Sequence, residues 1–233
     1  MTQTYWNRVS EFFKLFWIRL VVTKRNFVDF CKVAFHYYSN PLFRKIDLTL
    51  LFQYFLNNPY QISKRYLVSK GIEDPDRYGE TPLTTLQQIA QQCQISSKDY
   101  VFELGSGRGR ACFWLHNFIG CKVVGIEQVP EFVEKANYVK ERFGVEGVEF
   151  RLGNMLQADF SEVTVVYLYG TCLEDSFIKE LTHKFTILPS GLKIITVSYP
   201  LTDYTEEQVF EVMKRFPAQF TWGEGDVYLH LRK

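Results

Sequence analysis

From Tyr100 onward the chain alternates short apolar runs with longer stretches in which apolar residues recur every three or four positions. The apolar runs Tyr100 to Leu104, Lys122 to Ile126, Val148 to Leu152, Val163 to Tyr169 and Leu192 to Ser198 predict strands. The helical stretches between them predict the crossovers of a mainly parallel α/β sheet with helices on both faces. Gln219 to Trp222 and Val227 to Leu231 flank Gly223-Glu224-Gly225-Asp226, which predicts a closing β-hairpin. Thr205, followed by Glu206, Glu207 and Gln208, has the pattern of a capping box and predicts one more helix.

Ahead of this region the period is helical. Val9, Phe13, Phe16, Trp17 and Leu20 lie on one helical stripe, and Leu48, Leu51, Phe52, Phe55 and Leu56 repeat it, with Asp47 as the expected N-cap. Asn40-Pro41 and Asn57-Asn58-Pro59 punctuate the segment as turns. The polar run Gly71 to Pro82 reads as a loop, and Thr84 to Cys93 as a helix leading into the sheet. The expected organisation is therefore a helical lobe over 1–70, a linker loop and helix over 71–98, and a sheet domain over 99–233.

Composition adds an asymmetry that the total charge of +1 conceals. Residues 1–70 hold 11 Lys/Arg against 3 Asp/Glu, and the remainder 16 against 23. A basic front rich in aromatics, with Arg8, Lys14, Lys24, Arg25, Arg44 and Lys45, fits either a solvated helix face or contact with a membrane surface or nucleic acid. The five cysteines form no C-x-x-C pair and no metal-ligand spacing, so they read as reduced thiols and no metal site is expected. Lys14 and Arg19 interrupt the apolar stretch Phe12 to Val22, which argues against a spanning helix. The expected location is cytoplasmic, with membrane association left open.

The chemistry concentrates after the first predicted strand, in Glu103-Leu104-Gly105-Ser106-Gly107-Arg108-Gly109. Alternate glycines let a strand turn sharply into a helix and keep side chains away from a ligand in the crevice beyond the strand's carboxyl end. The third glycine of a dinucleotide loop is out of place, and no Gly-Lys-Ser/Thr follows for a P-loop. Glu103 would repel a pyrophosphate, but it could receive the ammonium of a methionine moiety. That favours S-adenosyl-L-methionine over a nicotinamide cofactor.

The run resembles the first motif of the class I S-adenosylmethionine-dependent methyltransferases, and the resemblance extends over Tyr78 to Lys233. It implies a Rossmann-like seven-stranded methyltransferase sheet, mostly parallel with a C-terminal hairpin, beside the helical N-terminal lobe. Val123-Val124-Gly125-Ile126-Glu127 resembles the second strand whose terminal acid grips both ribose hydroxyls, with Gln128 beside it. Leu152-Gly153-Asn154-Met155 is similar to the adenine segment, although Asn154 stands where the family has an acid, which weakens that contact. The cofactor contacts so implied are Glu103, Gly105, Ser106, Gly107, Gly109, Glu127, Gln128, Asn154, Met155 and Tyr169.

For the acceptor, Tyr167-Leu168-Tyr169-Gly170 lacks the Asp/Asn-Pro-Pro-Tyr/Phe tetrapeptide of amine-methylating nucleic-acid enzymes, and there is no paired-glutamate loop of the arginine type. Tyr78-Gly79-Glu80-Thr81-Pro82 is instead similar to the loop of the non-SET histone lysine methyltransferases of the telomeric-silencing-disruptor family. The arrangement also resembles the small lysine methyltransferases related to the ATP-synthase c-subunit enzyme. These resemblances imply a protein lysine acceptor, with Glu80 approaching the methionine end and Tyr78, Tyr169 and Tyr199 as walls of a desolvating channel. His116, His183 and His230 are expected in structural or surface roles. A small-molecule methyltransferase, and a noncatalytic module that keeps the cofactor pocket, remain as alternatives.

Overall fold

The computed structural model describes residue 17, residue 24 and residues 27–233, and it divides into two compact units, Met1–Arg44 and Lys45–Lys233. The expected stripe residues Val9, Phe13, Phe16 and Leu20, and the bases Arg8, Lys14 and Arg25, lie outside the described residues. Trp17, Lys24, Arg44 and Lys45 are exposed. Residues 27–37 are helical, and within the first unit the Phe30 and Tyr38 rings meet edge-on at 6.0 Å. The boundary at Arg44 falls earlier than the end of the expected 1–70 lobe, so residues 45–70 belong to the same compact unit as the sheet.

Helix α1 (Pro41–Gln53) starts as its sequence dictates, because Asn40 Oδ1 accepts the Phe43 N–H at 3.0 Å and proline occupies the first turn. Asp47 is no cap. It sits in mid-helix and is fully buried, because its carboxylate is claimed by Arg110 at 2.6 and 2.9 Å. Helix α2 (Pro59–Ser69) is capped by Asn58, whose Oδ1 accepts the Tyr60 N–H at 2.9 Å. Helix α3 (Leu83–Gln92) follows the polar loop.

The sheet has seven strands in the order β3-β2-β1-β4-β5-β7-β6: β1 (Tyr100–Leu104), β2 (Lys122–Glu127), β3 (Val148–Leu152), β4 (Val165–Leu168), β5 (Lys193–Val197), β6 (Phe210–Phe220) and β7 (Gly223–Arg232). The first five are parallel, and β7 runs antiparallel between β5 and β6. Helices α4 (Arg110–Trp114), α5 (Pro130–Phe143) and α6 (Asp175–Thr186) connect parallel strands. The strands and the apolar face of α6 build a core in which Phe102, Val124, Val166, Leu168, Ile194 and Phe185 are buried, and Phe132 of α5 packs with Tyr54, Ile62 and Val129 in a separate cluster. This is the expected Rossmann-like α/β fold, and its topology reverses between β1 and β4, where a crevice opens beyond the strand ends.

The helix expected after Thr205 does not form. Thr205 Oγ1 accepts the Glu207 N–H at 3.1 Å in a local turn, and the chain enters β6 at Phe210. Pairing with β7 outweighs the local capping signal, so the hairpin's first strand is far longer than Gln219 to Trp222. Pro217 is tolerated because β6 is an edge strand.

Gly109 combines a left-handed backbone with a crowded site. Its φ is +77°, and a Cβ there would lie 2.4 Å from Phe150 Cε1, whereas Gly144, at φ +62°, faces open space. Gly109→Ala is expected to cost about 3 kcal/mol through clash plus left-handed strain. Gly144→Ala is expected to cost about 1 kcal/mol from strain alone, and urea unfolding of both variants measures the difference.

Candidate active site

The turn between β1 and α4 is held from the neighbouring strand. Glu127, the last residue of β2, accepts the Gly107 N–H at 2.8 Å through Oε2, and the Gln128 and Val129 N–H groups at 2.8 and 2.9 Å through Oε1. The Gly105 and Ser106 N–H groups donate to the Ile126 carbonyl, so the loop folds back over the end of β2. Burial raises the Glu127 pKa, and those three amides counter it. An ionised carboxylate has about four acceptor sites, so roughly one stays available for a hydroxyl of a ligand.

Glu103 is the buried carboxyl of the crevice. The Cys112 thiol donates to its Oε2 at 2.9 Å, and its pKa is pushed up to about 8 by burial, with the charges of Glu80 and Glu127 adding to the rise. A buried acid with a thiol as its donor is suited to a cationic ligand group, which would replace a weak donor with a charged one. Gly105 faces the Met155 methyl, which would lie 3.8 Å from a Cβ there. Asn154 is exposed, and its Oδ1 accepts the Leu156 N–H at 2.9 Å, which leaves one lone pair of that oxygen. Ser106 turns its hydroxyl toward Gly125 and buries it without a hydrogen-bond partner. The residues present therefore fit an adenosyl sulfonium: a carboxyl for the ammonium, a carboxylate for the sugar, and a glycine turn against Met155.

The Tyr78 loop lies directly on this turn. The Tyr78 ring would come within 3.2 Å of a Cβ on Gly107, and its hydroxyl donates to Glu80 Oε1. Glu80 also receives a bidentate pair from Arg108, at 2.5 Å for each bond. Burial would raise the Glu80 carboxyl, but the Arg108 charge and hydrogen bonds hold it at about 2. Arg108 in turn lies over the Tyr54 ring at 5.2 Å, with Lys135 over the same ring at 4.4 Å. The next residue but one, Arg110, is clamped by Asp47, so both arginines of the loop are spoken for.

Tyr169 joins the same group. Its ring would lie 2.9 Å from a Cβ on Gly79, and its hydroxyl accepts the Trp222 Nε1–H at 2.8 Å. Tyr199 has different neighbours: its ring is edge-on to Tyr204 at 5.3 Å, and its hydroxyl would lie 2.9 Å from a Cβ on Gly170. The histidines are structural where buried. His230 Nε2 accepts the Leu201 N–H, and burial lowers its pKa to about 4. Among the described residues no group of side chains could hold a metal ion, and no helix is long and apolar enough to cross a membrane.

Sequence reasoning missed Asp47, Arg108 and Arg110 as a charge framework, Cys112 as the partner of Glu103, and Trp222 as a neighbour of Tyr169. The alternation of glycine with arginine in Gly107-Arg108-Gly109-Arg110 was the available signal for the first group. Two arginines beside a buried turn require acids, and Glu80 and Asp47 supply them.

Comparison with known proteins adds four similarities. The family described as the ANTKMT methyltransferase domain matches residues 103–208. A protein-lysine N-methyltransferase of Saccharolobus islandicus is 26% identical over 137 residues, covering 58% of this chain and 84% of that protein. A histone-lysine N-methyltransferase of Dictyostelium discoideum, specific for H3 lysine 79, is 28% identical over 138 residues, covering 52% of this chain and 7% of that protein. Among solved structures, an RNA methyltransferase from Salinibacter ruber in complex with S-adenosyl-L-homocysteine superposes with a TM-score of 0.55 at 27% identity, covering 66% of this chain and 93% of that one.

Glu103 makes stability depend on pH. Its folded pKa, about 8, lies above the ordinary 4.5, so the folded protein holds the extra proton between those values and its stability falls as pH rises through that window. Glu103→Gln is expected to remove a slope worth on the order of 5 kcal/mol across it. Denaturation of both proteins at pH 5 and pH 8.5 tests this, and an equal slope in the two would contradict the assignment.

Proposed function

Because the chain is a class I S-adenosylmethionine-dependent methyltransferase, we propose that it transfers the methyl group to a lysine side chain of a protein by direct in-line displacement. The observation that carries this reading is the seating of Tyr78 on Gly107, with Tyr169 against Gly79, which encloses the crevice beside the glycine turn with aromatic rings. The similarity to the Saccharolobus protein-lysine enzyme, over most of that protein's length, supports the same acceptor.

In this reading each residue has a physical task. Glu103 receives the ammonium of the methionine moiety, and Glu127 offers its remaining acceptor site to the ribose. The turn at Gly105, Gly107 and Gly109 and the side chain of Met155 bound the adenosyl group, and Asn154, with Gln128 close by, meets its outer edge. S-Adenosylmethionine supplies an electrophilic methyl on a sulfonium.

The acceptor must arrive neutral. A free lysine has a pKa of about 10.4, and aromatic, water-poor surroundings lower it. Tyr78 and Tyr169 supply them, with Tyr199 at the rim beyond Gly170. Glu80 acts through Arg108: its charge is matched, so it holds the Tyr78 loop over the turn without binding the incoming ammonium tightly as a salt. Exclusion of water and alignment account for most of the rate, on the order of 7 kcal/mol in favourable systems.

Contact of the exposed Lys24, Arg44 and Lys45 with an acidic surface belongs to the same proposal, as a means of reaching the substrate.

The acceptor is tested by incubating the protein with methyl-labelled cofactor and a whole-cell extract, then hydrolysing the protein fraction to amino acids. Label is expected in N-methylated lysine. Label confined to metabolites would overturn the lysine reading in favour of a small acceptor, and cofactor uptake without any transfer would favour a noncatalytic module. Tyr78→Ala is expected to lower kcat/KM about a hundredfold, as loss of roughly 2.7 kcal/mol of transition-state stabilisation. The role of Glu103 has a separate readout. Calorimetry of S-adenosylhomocysteine binding at pH 7 in buffers of differing ionisation heat is expected to show release of about one proton, and Glu103→Gln is expected to release none.

A further inference from the structure

Helix α1 is apolar on two sides. Its inner side buries Ile46 and Leu50, with Tyr54 just beyond its end, and Asp47 on that side clamps Arg110. Its outer side carries Lys45, Leu48 and Phe52 at helical spacing, and Phe55 and Leu56 continue the run in the turn that follows. Phe52, Phe55 and Leu56 are 80%, 81% and 89% exposed. Tyr60 and Val68 add exposed apolar surface on α2. Core packing accounts for the inner side and leaves the outer one without a partner, although protruding apolar side chains grouped in this way mark an interaction surface.

The surface charges around this run have one sign. Between residues 45 and 70 the only acid is Asp47, which is buried, whereas Lys45, Lys64, Arg65 and Lys70 are exposed. Asp76 pairs with Lys64 at 2.8 Å, which leaves Lys45 and Arg65 as the principal cations beside the apolar run. Cations beside protruding rings and leucines match an anionic lipid surface, where the apolar groups enter the acyl boundary and the cations meet the headgroup phosphates. A nucleic acid would engage the cations and leave Leu48 and Leu56 in water. A second copy of the chain would set like charges against one another. At 13 and 11 residues, α1 and α2 are too short to span a bilayer, so the fit is to its surface.

We propose that the outer side of α1 and the turn at Phe55-Leu56 dock on an anionic lipid bilayer, and that docking and cofactor binding strengthen each other through α1. The inner side of the helix reaches the cofactor turn twice: Asp47 holds Arg110, and the Tyr54 ring lies 5.2 Å from the Arg108 guanidinium. Tyr60 packs edge-on against Tyr78 at 5.1 Å, and Tyr78 sits on Gly107 of the same turn. A bilayer that steadies α1 therefore steadies the turn that receives the cofactor, and by linkage the bound cofactor favours docking to the same degree. The proposal gives the acidic-surface contact a lipid chemistry and a defined face, and it holds whatever acceptor the enzyme methylates.

The test is flotation of the full chain with vesicles of phosphatidylcholine alone and of phosphatidylcholine mixed with phosphatidylglycerol. Wild type is expected to bind the anionic vesicles about tenfold more tightly than the neutral ones, with the difference shrinking as salt is added. Phe55→Ser combined with Leu56→Ser is expected to weaken that binding about thirtyfold through lost apolar insertion. Lys45→Gln combined with Arg65→Gln is expected to weaken it by about the same factor through lost attraction to the headgroups. Both variants spare the inner side of α1, so without vesicles each is expected to bind S-adenosylhomocysteine as wild type does. With anionic vesicles present, calorimetry is expected to show wild type binding that ligand about fivefold more tightly, and the Phe55/Leu56 variant gaining nothing. Absent or equal binding to the two vesicle types, a Phe55/Leu56 variant that docks like wild type, or docking that leaves ligand affinity unchanged would each overturn the proposal. Capture by duplex DNA in preference to anionic vesicles, or self-association abolished by the Phe55/Leu56 substitutions, would do the same. Flotation requires no methyl acceptor, so its outcome is separate from that of the labelling experiment on lysine.

Discussion

The rest of the site depends on one carboxylate at the end of the second strand. Glu127 gathers three backbone N–H groups, one from Gly107 across the crevice and two from the start of its own loop. A glycine turn alone is conformationally loose, since glycine loses more freedom on ordering than any other residue. The parallel pairing of β1 with β2 sets the turn and the carboxylate side by side, and the hydrogen bond to Gly107 then fixes the turn's shape. The fold thus preorganises the crevice before any ligand enters.

Around that centre the charges fall into two kinds. Glu80 and Asp47 are matched by Arg108 and Arg110 in bidentate pairs, which fasten the Tyr78 loop and helix α1 to the two ends of the same turn. Such pairs hold geometry more than they add net stability, because desolvation cancels much of their attraction. Glu103 is the other kind, buried with a thiol for a donor and pushed up to about 8 chiefly by that burial. The framework carboxylates are paired and committed, and on the proposed reading the third is kept available for a cation that the protein itself does not supply. This division lets a rigid site still respond to its ligand.

Much of this was legible from the residues. The strands of the parallel sheet are apolar runs too short for helices, and Glu103 to Gly109 could only be a strand turning into a helix. Strand ends were read a residue or two long at Val163 and Tyr169, where the chain leaves the ladder while its side chains stay apolar. The capping signals misled in two places for one reason. At Asp47 and at Thr205 a local preference met a stronger distant partner, Arg110 in one case and β7 in the other. Pairings such as Arg108 with Glu80, Cys112 with Glu103 and Trp222 with Tyr169 bridge 28, 9 and 53 positions, so they follow from topology and not from any local pattern.

On the proposed reading, the turn after β1 holds the cofactor by its two ends, the amino-acid end on Glu103 and the sugar on Glu127. A crystal structure of the complex with S-adenosylhomocysteine is expected to show the ligand's amino nitrogen within hydrogen-bonding distance of Glu103, with the carboxyl drawn toward it and away from Cys112, and a ribose hydroxyl on Glu127. A ligand bound elsewhere, or bound in the crevice while Glu103 keeps Cys112 as its sole partner, would contradict it.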